Sequence, residues 1–489
     1  MSEERFCICS CEHCGGHIEF PASGVGMRVA CPHCAVETVL TEAPERAAEN
    51  PDHISAAELK EALAGTVTRR RISVFYQAGL VLVALFMVIL PVVYLAFVAL
   101  VAWCTYWYAV HARVLLTSFS GGFYLLFIKT ILYIAPLIAG GIAVFFMFKP
   151  ILARTPKRAE PLELNPAQHP RLYQFIAHIS DLVRVRMPGR IYLTCDLNAS
   201  AGFGRGWLSL LSSDLIMNIG LPLVAGQNTR QFAGVVAHEL GHCTQGLAMR
   251  LGYIIDRIDG WFMRVVYERD TWDESFEEWA NSIEDSRLAF IPVCAGVAIW
   301  LSRGVLAALM FAGHAVSCFL ARQMEFHADA CAMGIAGSQG LESLLIRLRE
   351  QDVLEHLAYD GLKQIWQKKH QMPDSVPDFL DQLEQRLPAD FHEQARLTLL
   401  NEKAGLFDTH PTAAQRIQKA RQRTESGIFG IEKPARALFN DFAATAQLVT
   451  SRHYRQNLRL AVTNAMLKPV REFFEPSEPD RKRFQVRQI

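Results

Sequence analysis

The chain of 489 residues carries 49 basic and 49 acidic side chains, so its formal net charge is zero. This balance argues against the strongly basic surface of many nucleic-acid-binding proteins, and we expect no nucleic-acid partner. Hydrophobic residues form 51% of the sequence and the mean hydropathy is +0.14. These values disfavour a single soluble domain and predict a multi-domain membrane protein.

The N-terminus carries two Cys-x-x-Cys pairs, Cys11 with Cys14 and Cys31 with Cys34. Their spacing is typical of a zinc ribbon, in which four thiolates bind one structural zinc ion. Two disulfides are the alternative, but the membrane segment and basic flank that follow favour the reducing cytoplasm. Residues 1–40 are therefore predicted to form a zinc ribbon, whose binding partner the sequence does not identify.

Two apolar stretches follow the ribbon. Residues 41–71 are predicted to form a linker that ends in three arginines. Because a bilayer core needs about 20 apolar residues per helix, residues 72–149 are predicted to form transmembrane helices. The first stretch could be one long helix or a hairpin that bends near Pro91. Positive residues flank both ends of the region, which predicts an even number of crossings with both flanks in the cytoplasm.

The next region, residues 150–287, mixes helix and strand patterns. Residues 165–185 place apolar side chains at helical spacing, which predicts an amphipathic helix. Residues 190–197 and 215–221 are predicted to form short strands. The region then reaches the motif GVVAHELGHCTQG at 234–246.

This motif contains His238, Glu239 and His242 in the pattern His-Glu-x-x-His. On a helix, residues i and i+4 share one face, so both imidazoles can bind one zinc ion while Glu239 lies beside the open coordination position. That glutamate could take a proton from a metal-activated water. The alternative is a buried helix whose histidines bond to backbone carbonyls.

Residues 288–321 form a third hydrophobic region, divided by Arg303 and Gly304. If it separates two helices that share one metal ion, the chain must return to the side of the membrane from which it left. The region would then cross the membrane twice or lie along its surface. We expect a short membrane hairpin with Arg303 near its far tip.

The stretch SCFLARQMEFHADACAMG at 317–334 offers the missing metal ligand. Glu325 could bind the ion, while Asp329, one helical turn later, could accept a proton from the second ring nitrogen of a ligand histidine. The alternative is a solvated helix face, but the small and apolar residues of the next turn indicate burial.

These three features, HELGH, RQMEFHADA and the later DTHPTAAQRI at 408–417, resemble the HtpX-like membrane zinc endopeptidases, a gluzincin family that includes the CAAX prenyl proteases. The resemblance covers roughly residues 150–425. It implies that His238, His242 and Glu325 bind a catalytic zinc, that Glu239 is the general base and acid, and that Asp329 orients a ligand.

The resemblance also implies roles for residues that spacing alone does not single out. His410 and Arg416 match the His-Pro and Arg of the late motif, which line the active site and help to stabilise the oxyanion. The segment CDLNASAG at 195–202 resembles the Asn-Ala edge strand of the family, which implies substrate contacts at Asn198 and Ala199. The glycines that follow depart from the family pattern.

The expected fold class is a multi-domain membrane protein, mainly α with a small β-sheet, in which a zincin-like metalloprotease domain joins transmembrane helices and an N-terminal zinc ribbon. The peptidase domain would comprise residues 150–287 and 322–425, interrupted by the 288–321 hairpin and followed by a helical region and tail at 426–489.

The expected function is zinc-dependent hydrolysis of peptide bonds, with one catalytic and one structural zinc ion. Substrates would be proteins or peptides, chiefly membrane proteins in quality control or processing. The catalytic domain and the ribbon would face the cytoplasm, at the inner or plasma membrane if the source is bacterial. Two alternatives are CAAX-type processing of prenylated proteins and a ribbon scaffold or sensor with an inactive protease-like domain. The intact Glu239 argues against the scaffold.

Overall fold

A computed structural model provides the structure of the chain. It describes residues 6–10, 17–21, 24, 26–32, 36–39, 54–68, 73–117, 123–152, 161–204, 214–244, 246–267, 278, 290–405 and 408–474. The chain divides into two compact units, residues 1–55 and 56–489.

The first unit contains two antiparallel hairpins. Strand β1 (Phe6–Ser10) pairs with β2 (His17–Pro21), and β3 (Arg28–Ala30) pairs with β4 (Glu37–Val39). Cys31 follows β3, is buried, and donates its backbone N–H to the Val36 carbonyl at 2.9 Å. The other three predicted ribbon ligands, Cys11, Cys14 and Cys34, lie outside the described residues. The four-thiolate site therefore stays a prediction.

The second unit begins with helices α1 (Ala56–Ala62), α2 (Val74–His111), α3 (Val114–Thr117) and α4 (Phe123–Leu152). Helix α2 is one continuous helix of 38 residues with Pro91 inside it. The structure thus has one long helix rather than a hairpin that bends near Pro91. Tyr94 of α2 donates its hydroxyl to the Met147 carbonyl of α4 at 2.7 Å, which joins the two helices at a buried point.

Two further helices pack against this pair. They are α8 (Leu247–Tyr267) and α9 (Phe290–Lys369), a helix of 80 residues that is broken at Gly337. Helix α8 runs antiparallel to α9, and His314 Nδ1 of α9 lies 3.0 Å from Asp259 Oδ2 of α8. The buried core of this bundle takes apolar side chains from all four helices: Leu80, Val83, Ala84, Met87, Leu90, Tyr94, Val98, Met147, Ile255, Phe262, Leu306, Met310 and Leu320.

The expected hairpin within residues 288–321 is wrong. Helix α9 runs through Arg303 and Gly304 without a turn. A Cβ atom at Gly304 would meet nothing within 4 Å, so this glycine marks no tight bend. The helix that packs antiparallel against the first part of α9 is α8. Because α8 contains acidic and basic residues, its sequence does not form an uninterrupted apolar run.

Three of the described helices are long and apolar enough to cross a membrane: Val74–Thr117, Phe123–Ile151 and Pro292–Lys369. Their outward faces expose large apolar side chains; Leu82 is 69% exposed and Trp300 is 74% exposed. Water would not stabilise such surfaces, but lipid would. These helices indicate an integral membrane protein.

The remaining part of the second unit holds a four-stranded sheet. Its strands are β5 (Leu162–Glu163), β6 (Arg190–Thr194), β7 (Ala199–Phe203) and β8 (Leu215–Gly220), in the order β5-β6-β8-β7. Strand β7 pairs antiparallel with β8 on one side. No other described strand pairs with β7, so its second side is an open edge.

Helices α5 (Pro170–Val183), α6 (Leu221–Ala225) and α7 (Thr229–Cys243) accompany the sheet. The expected apolar face of α5 is buried. Helix α7 begins in a capping box, in which the Asn228 side chain accepts the Gln231 N–H and the Gln231 side chain accepts the Asn228 N–H. This cap satisfies two backbone donors and fixes where the histidine-bearing helix starts.

The last elements follow α9 in the chain. They are α10 (Val376–Glu384), α11 (Phe391–Leu400), α12 (Ala413–Arg423), α13 (Phe442–Arg452) and α14 (Arg471–Phe474), with the short parallel strands β9 (Met372–Pro373) and β10 (Leu467–Lys468). Two 3-10 helices at Ala435–Leu438 and Asn464–Met466 and a π-helix at His453–Asn457 complete the region.

Helices α7 and α9 approach each other very closely at Gly241. A Cβ atom at this position would lie 3.1 Å from Ala328 Cα and 3.1 Å from Cys331 Cβ. One of these neighbours is backbone, which cannot rotate away. The glycine lies within HELGH, next to His242, and therefore allows the two helices to be in direct contact at the histidines.

We expect Gly241→Ala to lower the thermal midpoint of the protein in detergent, because overpacking at a tight helix contact costs about 1–3 kcal/mol. Gly361→Ala is the matched control, since Gly361 is also inside a helix but a Cβ atom there would meet nothing within 4 Å. Helix propensity should make that control neutral or slightly stabilising. Equal midpoints for both variants, measured by thermal unfolding, would contradict the packing argument.

Candidate active site

The centre of the site lies where α7 and α9 touch. His238 Nε2 is 3.3 Å from His242 Nε2 and 3.4 Å from Glu325 Oε2, and His242 Nε2 is 3.5 Å from Glu325 Oε1. Glu325 is buried, at 6% exposed. The structure thus brings together three sequence-predicted ligands, two from α7 and one from α9.

These distances fit a zinc ion. Ligand atoms at 2.0–2.1 Å from a tetrahedral zinc ion lie roughly 3.4 Å apart. The two histidine Nε2 atoms are 3.3 Å apart, and they lie 3.4 and 3.5 Å from the two different oxygens of Glu325, which is close to that spacing. Two imidazoles and one carboxylate are also the donor set of many catalytic zinc sites, which leave the fourth position open. The group could hold a zinc ion with little movement.

Behind His238 lies a buried ion pair. Asp329 Oδ1 is 3.2 Å from His238 Nδ1, and the Arg416 guanidinium donates to both Asp329 oxygens, at 2.9 Å from Nε and 2.5 Å from Nη2. Asp329 is only 3% exposed. Asp329 therefore contacts the ring nitrogen that faces away from the candidate metal position.

Arg416 thus does not face the open side of the cluster. Its guanidinium lies beside Asp329 and the back of His238, with Nη2 at 3.5 Å from His238 Nδ1 and 4.0 Å from Glu325 Oε2. A guanidinium held bidentately in this way fixes the carboxylate that it binds. This placement favours a positioning role over the oxyanion contact that the family resemblance implies.

His410 lies on the opposite, accessible side. Its Nδ1 atom is 3.1 Å from Glu325 Oε1, and 69% of its side chain is exposed. The hydrogen bond to Glu325 raises the pKa of His410, against the effect of its partial burial. An imidazole in this position can present a donor to a molecule that enters beside the candidate metal position.

Glu239 lies next to the edge strand. Its carboxylate accepts a hydrogen bond from the Ala201 backbone N–H of β7. Burial raises the pKa of Glu239 to about 6, although His238 and this hydrogen bond act in the opposite direction. A carboxylate with such a pKa can both accept and return a proton near neutral pH.

The two histidines differ in their electrostatic environment. Burial lowers the pKa of His238, but hydrogen bonds to Asp329 and Glu325 outweigh this effect and raise it to about 10. Burial, together with the neighbouring His238, lowers the pKa of His242 to about 4. The carboxylates of Asp329 and Glu325 therefore stabilise positive charge on or beside His238.

The open edge of β7 presents alternate backbone groups. Gly220 N donates to Asn198 O, and Gly204 N donates to Asp214 O, so the even-numbered residues bond to β8. In an antiparallel ladder the pairs between them turn their N–H and C=O groups outwards. The outward-facing backbone groups therefore belong to Ala199, Ala201 and Phe203, and of these the Ala201 N–H is bonded to Glu239.

This register gives different roles to the two predicted substrate contacts, Asn198 and Ala199. Ala199 has backbone groups on the open edge, as an edge-strand contact requires. The Asn198 carbonyl instead bonds to β8, so only the side chain of Asn198 can meet a molecule outside the sheet. Sequence reasoning missed Ala201 and Phe203, because the glycines around them concealed the strand and only its register with β8 fixes which residues face outwards.

A cavity of about 340 Å³ adjoins the cluster. Its lining joins the site to the membrane helices: His242, Glu325 and His410 meet Leu80 of α2, Ile255 of α8 and Leu320 of α9 there. The cavity also borders Ala201, Gly202 and Phe203. The edge strand thus leads directly from the candidate metal position to the base of the helix bundle.

One other described group has metal-ligand chemistry, formed by Glu350, Glu384 and His392. Arg347 donates to both glutamates, and His392 Nδ1 is 3.1 Å from Glu350 Oε1. The guanidinium therefore occupies the carboxylates that a cation would need, and this group is an ion-pair network.

Comparisons with known proteins agree with the geometry. The chain is similar to Protease HtpX of Acinetobacter baylyi, at 24% identity over 258 residues that cover 51% of this chain and 70% of the relative. It is also similar to a Protease HtpX homolog of Desulfatibacillum aliphaticivorans, at 25% identity over 285 residues that cover 56% and 76%. No solved structure matches the chain.

The match to peptidase family M48 extends over residues 166–424, more than half of the sequence. It includes strands β6, β7 and β8 of the sheet, α7, the candidate ligand of α9 and the late motif. On this match, and with the His238–His242–Glu325 group placed as a zinc site requires, the chain belongs to the M48 family of zinc metallopeptidases.

Proposed function

We propose that the protein is a membrane-embedded endopeptidase that hydrolyses peptide bonds at the His238–His242–Glu325 site. One observation carries the proposal: the two imidazole nitrogens and the Glu325 carboxylate lie at separations typical of zinc ligands, beside Glu239 and an open β-edge. A metal site, a proton acceptor and a strand that can hold an extended peptide are the parts that peptide hydrolysis needs.

His238, His242 and Glu325 would hold the zinc ion. A zinc ion held there would supply Lewis-acid chemistry, polarising the scissile carbonyl and lowering the pKa of a water molecule. Glu239 accepts the proton of that water and then delivers it to the leaving amine nitrogen. His410 donates to the carbonyl oxygen as negative charge develops on it.

Asp329 and Arg416 act behind the ligands. Asp329 accepts the Nδ1–H proton of His238, which leaves Nε2 free to bind the ion. Arg416 holds Asp329 through two hydrogen bonds and so fixes the orientation of the imidazole. These two residues are positioning residues, since neither lies on the open side of the site.

The substrate would add to the sheet as a strand. Ala199 and Phe203 turn their backbone groups towards an extended peptide, as does the Ala201 carbonyl, while the Ala201 N–H is bonded to Glu239. Main-chain bonds to such a peptide do not depend on its sequence. A folded domain could not supply this strand without unfolding locally. Unfolded or loosely structured segments of membrane proteins are therefore the proposed substrates, which suits quality control or processing at the cytoplasmic face of the membrane.

The ribbon cysteines Cys11, Cys14, Cys31 and Cys34 remain the proposed ligands of a second, structural zinc ion. Their support is the spacing of the two Cys-x-x-Cys pairs. The reducing cytoplasm would keep these thiols available, in agreement with the proposed orientation of both membrane flanks.

We expect Glu239→Gln to retain zinc and the fold while lowering peptide hydrolysis by about 10²- to 10⁴-fold, because the amide cannot accept a proton. The measurement is cleavage of a casein-like substrate in detergent beside zinc content by atomic absorption. Glu393→Gln, on the exposed face of α11, is the matched control and should keep full activity. Full turnover by Glu239→Gln would exclude this residue as the proton acceptor.

We expect Glu325→Gln to lose zinc as well as activity, since an amide is a much weaker zinc ligand than a carboxylate. Asp329→Asn should have a smaller effect, roughly 10- to 100-fold in zinc affinity. Competition with a chelator of known affinity would measure both. A Glu325→Gln protein with wild-type zinc affinity would show that another residue completes the metal site.

We expect Arg416→Gln to weaken zinc binding roughly 10- to 100-fold, because it releases Asp329 and, through it, His238. If Arg416 instead stabilises the oxyanion, the same variant should lower kcat while zinc affinity stays unchanged. Arg423→Gln, at the exposed end of the same helix, controls for the loss of one positive charge. Zinc titration and kcat measured on the same preparations separate the two roles.

A further inference from the structure

A second cavity, of about 590 Å³, lies at the other end of the edge strand. Asn198, Ala199 and Ser200 form one wall of it, and Arg452, Asn457 and Arg459 form the facing wall. We call this space the sheet cavity. Its lining includes Ala199, the first residue of β7, and continues across the sheet to Leu193 of β6 and Leu162 of β5. A peptide bound along β7 would therefore have one end beside this cavity.

The facing wall of the sheet cavity lies outside the M48 match. That match ends at residue 424, whereas the facing wall comes from the end of α13 and the turn that follows it. Buried contacts hold this wall in place: His453 is 7% exposed and its Nε2 atom is 2.9 Å from the Tyr359 hydroxyl. The segment is thus a fixed part of the molecule that adds a surface to the peptidase domain.

The charge of the sheet cavity is net positive. Arg452 and Arg459 contribute two guanidinium groups, and Asp196 is the one carboxylate in the lining. Within the described part of the chain, neither arginine makes a side-chain hydrogen bond or ion pair. Burial lowers the pKa of His453, so that side chain stays neutral at physiological pH. The two arginines and the neighbouring amides are therefore available to an anion.

We propose that the sheet cavity is a specificity subsite that binds a carboxylate of the substrate through Arg452 and Arg459. This inference rests on the proposed peptidase function and on strand addition along β7. Guanidinium groups match carboxylates in geometry and charge, and the amides of Asn198 and Asn457 can donate to the same group.

The geometry also determines which side chains of a bound peptide would reach the sheet cavity. Leu215, Met217 and Ile219 of β8 are buried, whereas Asn218 points to the more open face of the sheet. The Asn218 side chain donates to the Ser200 hydroxyl at 3.0 Å, so both line the sheet cavity from that face. Side chains of an added strand alternate between faces, and each residue advances about 3.3 Å. The subsite should therefore recognise positions two residues apart, on one side of the scissile bond only.

The test uses quenched fluorescent peptides that differ at a single position, where glutamate replaces glutamine. The series covers four positions on each side of the scissile bond, with amidated C-termini, and a second series carries a free C-terminal carboxylate. We expect glutamate at one position, or at two positions two residues apart, to raise kcat/KM roughly tenfold over glutamine, as a charged hydrogen bond would. Preference in the amidated series identifies an acidic side chain; preference confined to the second series identifies the chain terminus.

Variants connect this preference to the sheet cavity. Arg452→Gln and Arg459→Gln should each lower the glutamate-to-glutamine ratio, and Asp196→Asn should raise it, because it removes the opposing charge. Arg186→Gln, an exposed arginine outside the lining, should leave the ratio unchanged. A wild-type ratio near one at every position, or a ratio that neither cavity arginine affects, would overturn the proposal.

Binding without turnover separates this proposal from the proposed function. In Glu239→Gln protein, fluorescence polarisation should show tighter binding of the preferred glutamate peptide than of its glutamine twin, and Arg452→Gln should remove the difference. If wild-type protein cleaves no peptide but this difference persists, the peptidase proposal fails and the carboxylate site stands. If peptides are cleaved but the glutamate and glutamine peptides bind equally well, the proposed carboxylate site is wrong and the peptidase proposal stands.

Discussion

The contact between α7 and α9 is the constraint on which the rest of the structure depends. His238 and His242 lie on one helix and Glu325 on the other, more than 80 residues later in the sequence, yet their ligand atoms must lie about 3.4 Å apart to share a zinc ion. Gly241 permits this approach, since a side chain there would meet the backbone of Ala328. The same contact places Asp329 behind His238, so ligand geometry and ligand orientation have one structural origin.

The path of the chain between these helices connects the site to the membrane. Helix α8 leaves the site, and α9 returns to it as a continuous helix that carries apolar residues first and Glu325 later. Because one helix provides both a candidate membrane span and a metal ligand, the site cannot move far from the bundle. The break at Gly337 then redirects α9, where the Ser338 N–H donates to Glu425 O at 2.7 Å and joins the helix to the segment after α12.

Local patterns in the sequence were sufficient for some of these features and insufficient for others. The i and i+4 spacing predicted the shared face of His238 and His242, and the burial of the turn after Asp329 indicated its partner role. Local patterns do not predict properties that depend on contacts between residues far apart in the sequence. The register of β7 against β8 decides that Ala201 rather than Asn198 offers backbone to the open edge. The direction of Arg416 depends on its ion pair with Asp329, and α8 was missed because charges such as Asp259, which pairs with His314, interrupt its apolar pattern.

Charge balance explains why the site needs a cation to be complete. Glu239, Glu325 and Asp329 bring three carboxylates into a region where burial disfavours charge, and Arg416 is the guanidinium among them. A zinc ion adds two positive charges, so the three negative charges are then matched by three positive ones. Without the ion, protons on His238 and on His410, both of which have raised pKa values, would replace part of this charge. Unpaired buried charge is costly. The metal that the M48 family implies would therefore contribute to the stability of the α7–α9 contact as well as to the chemistry beside it.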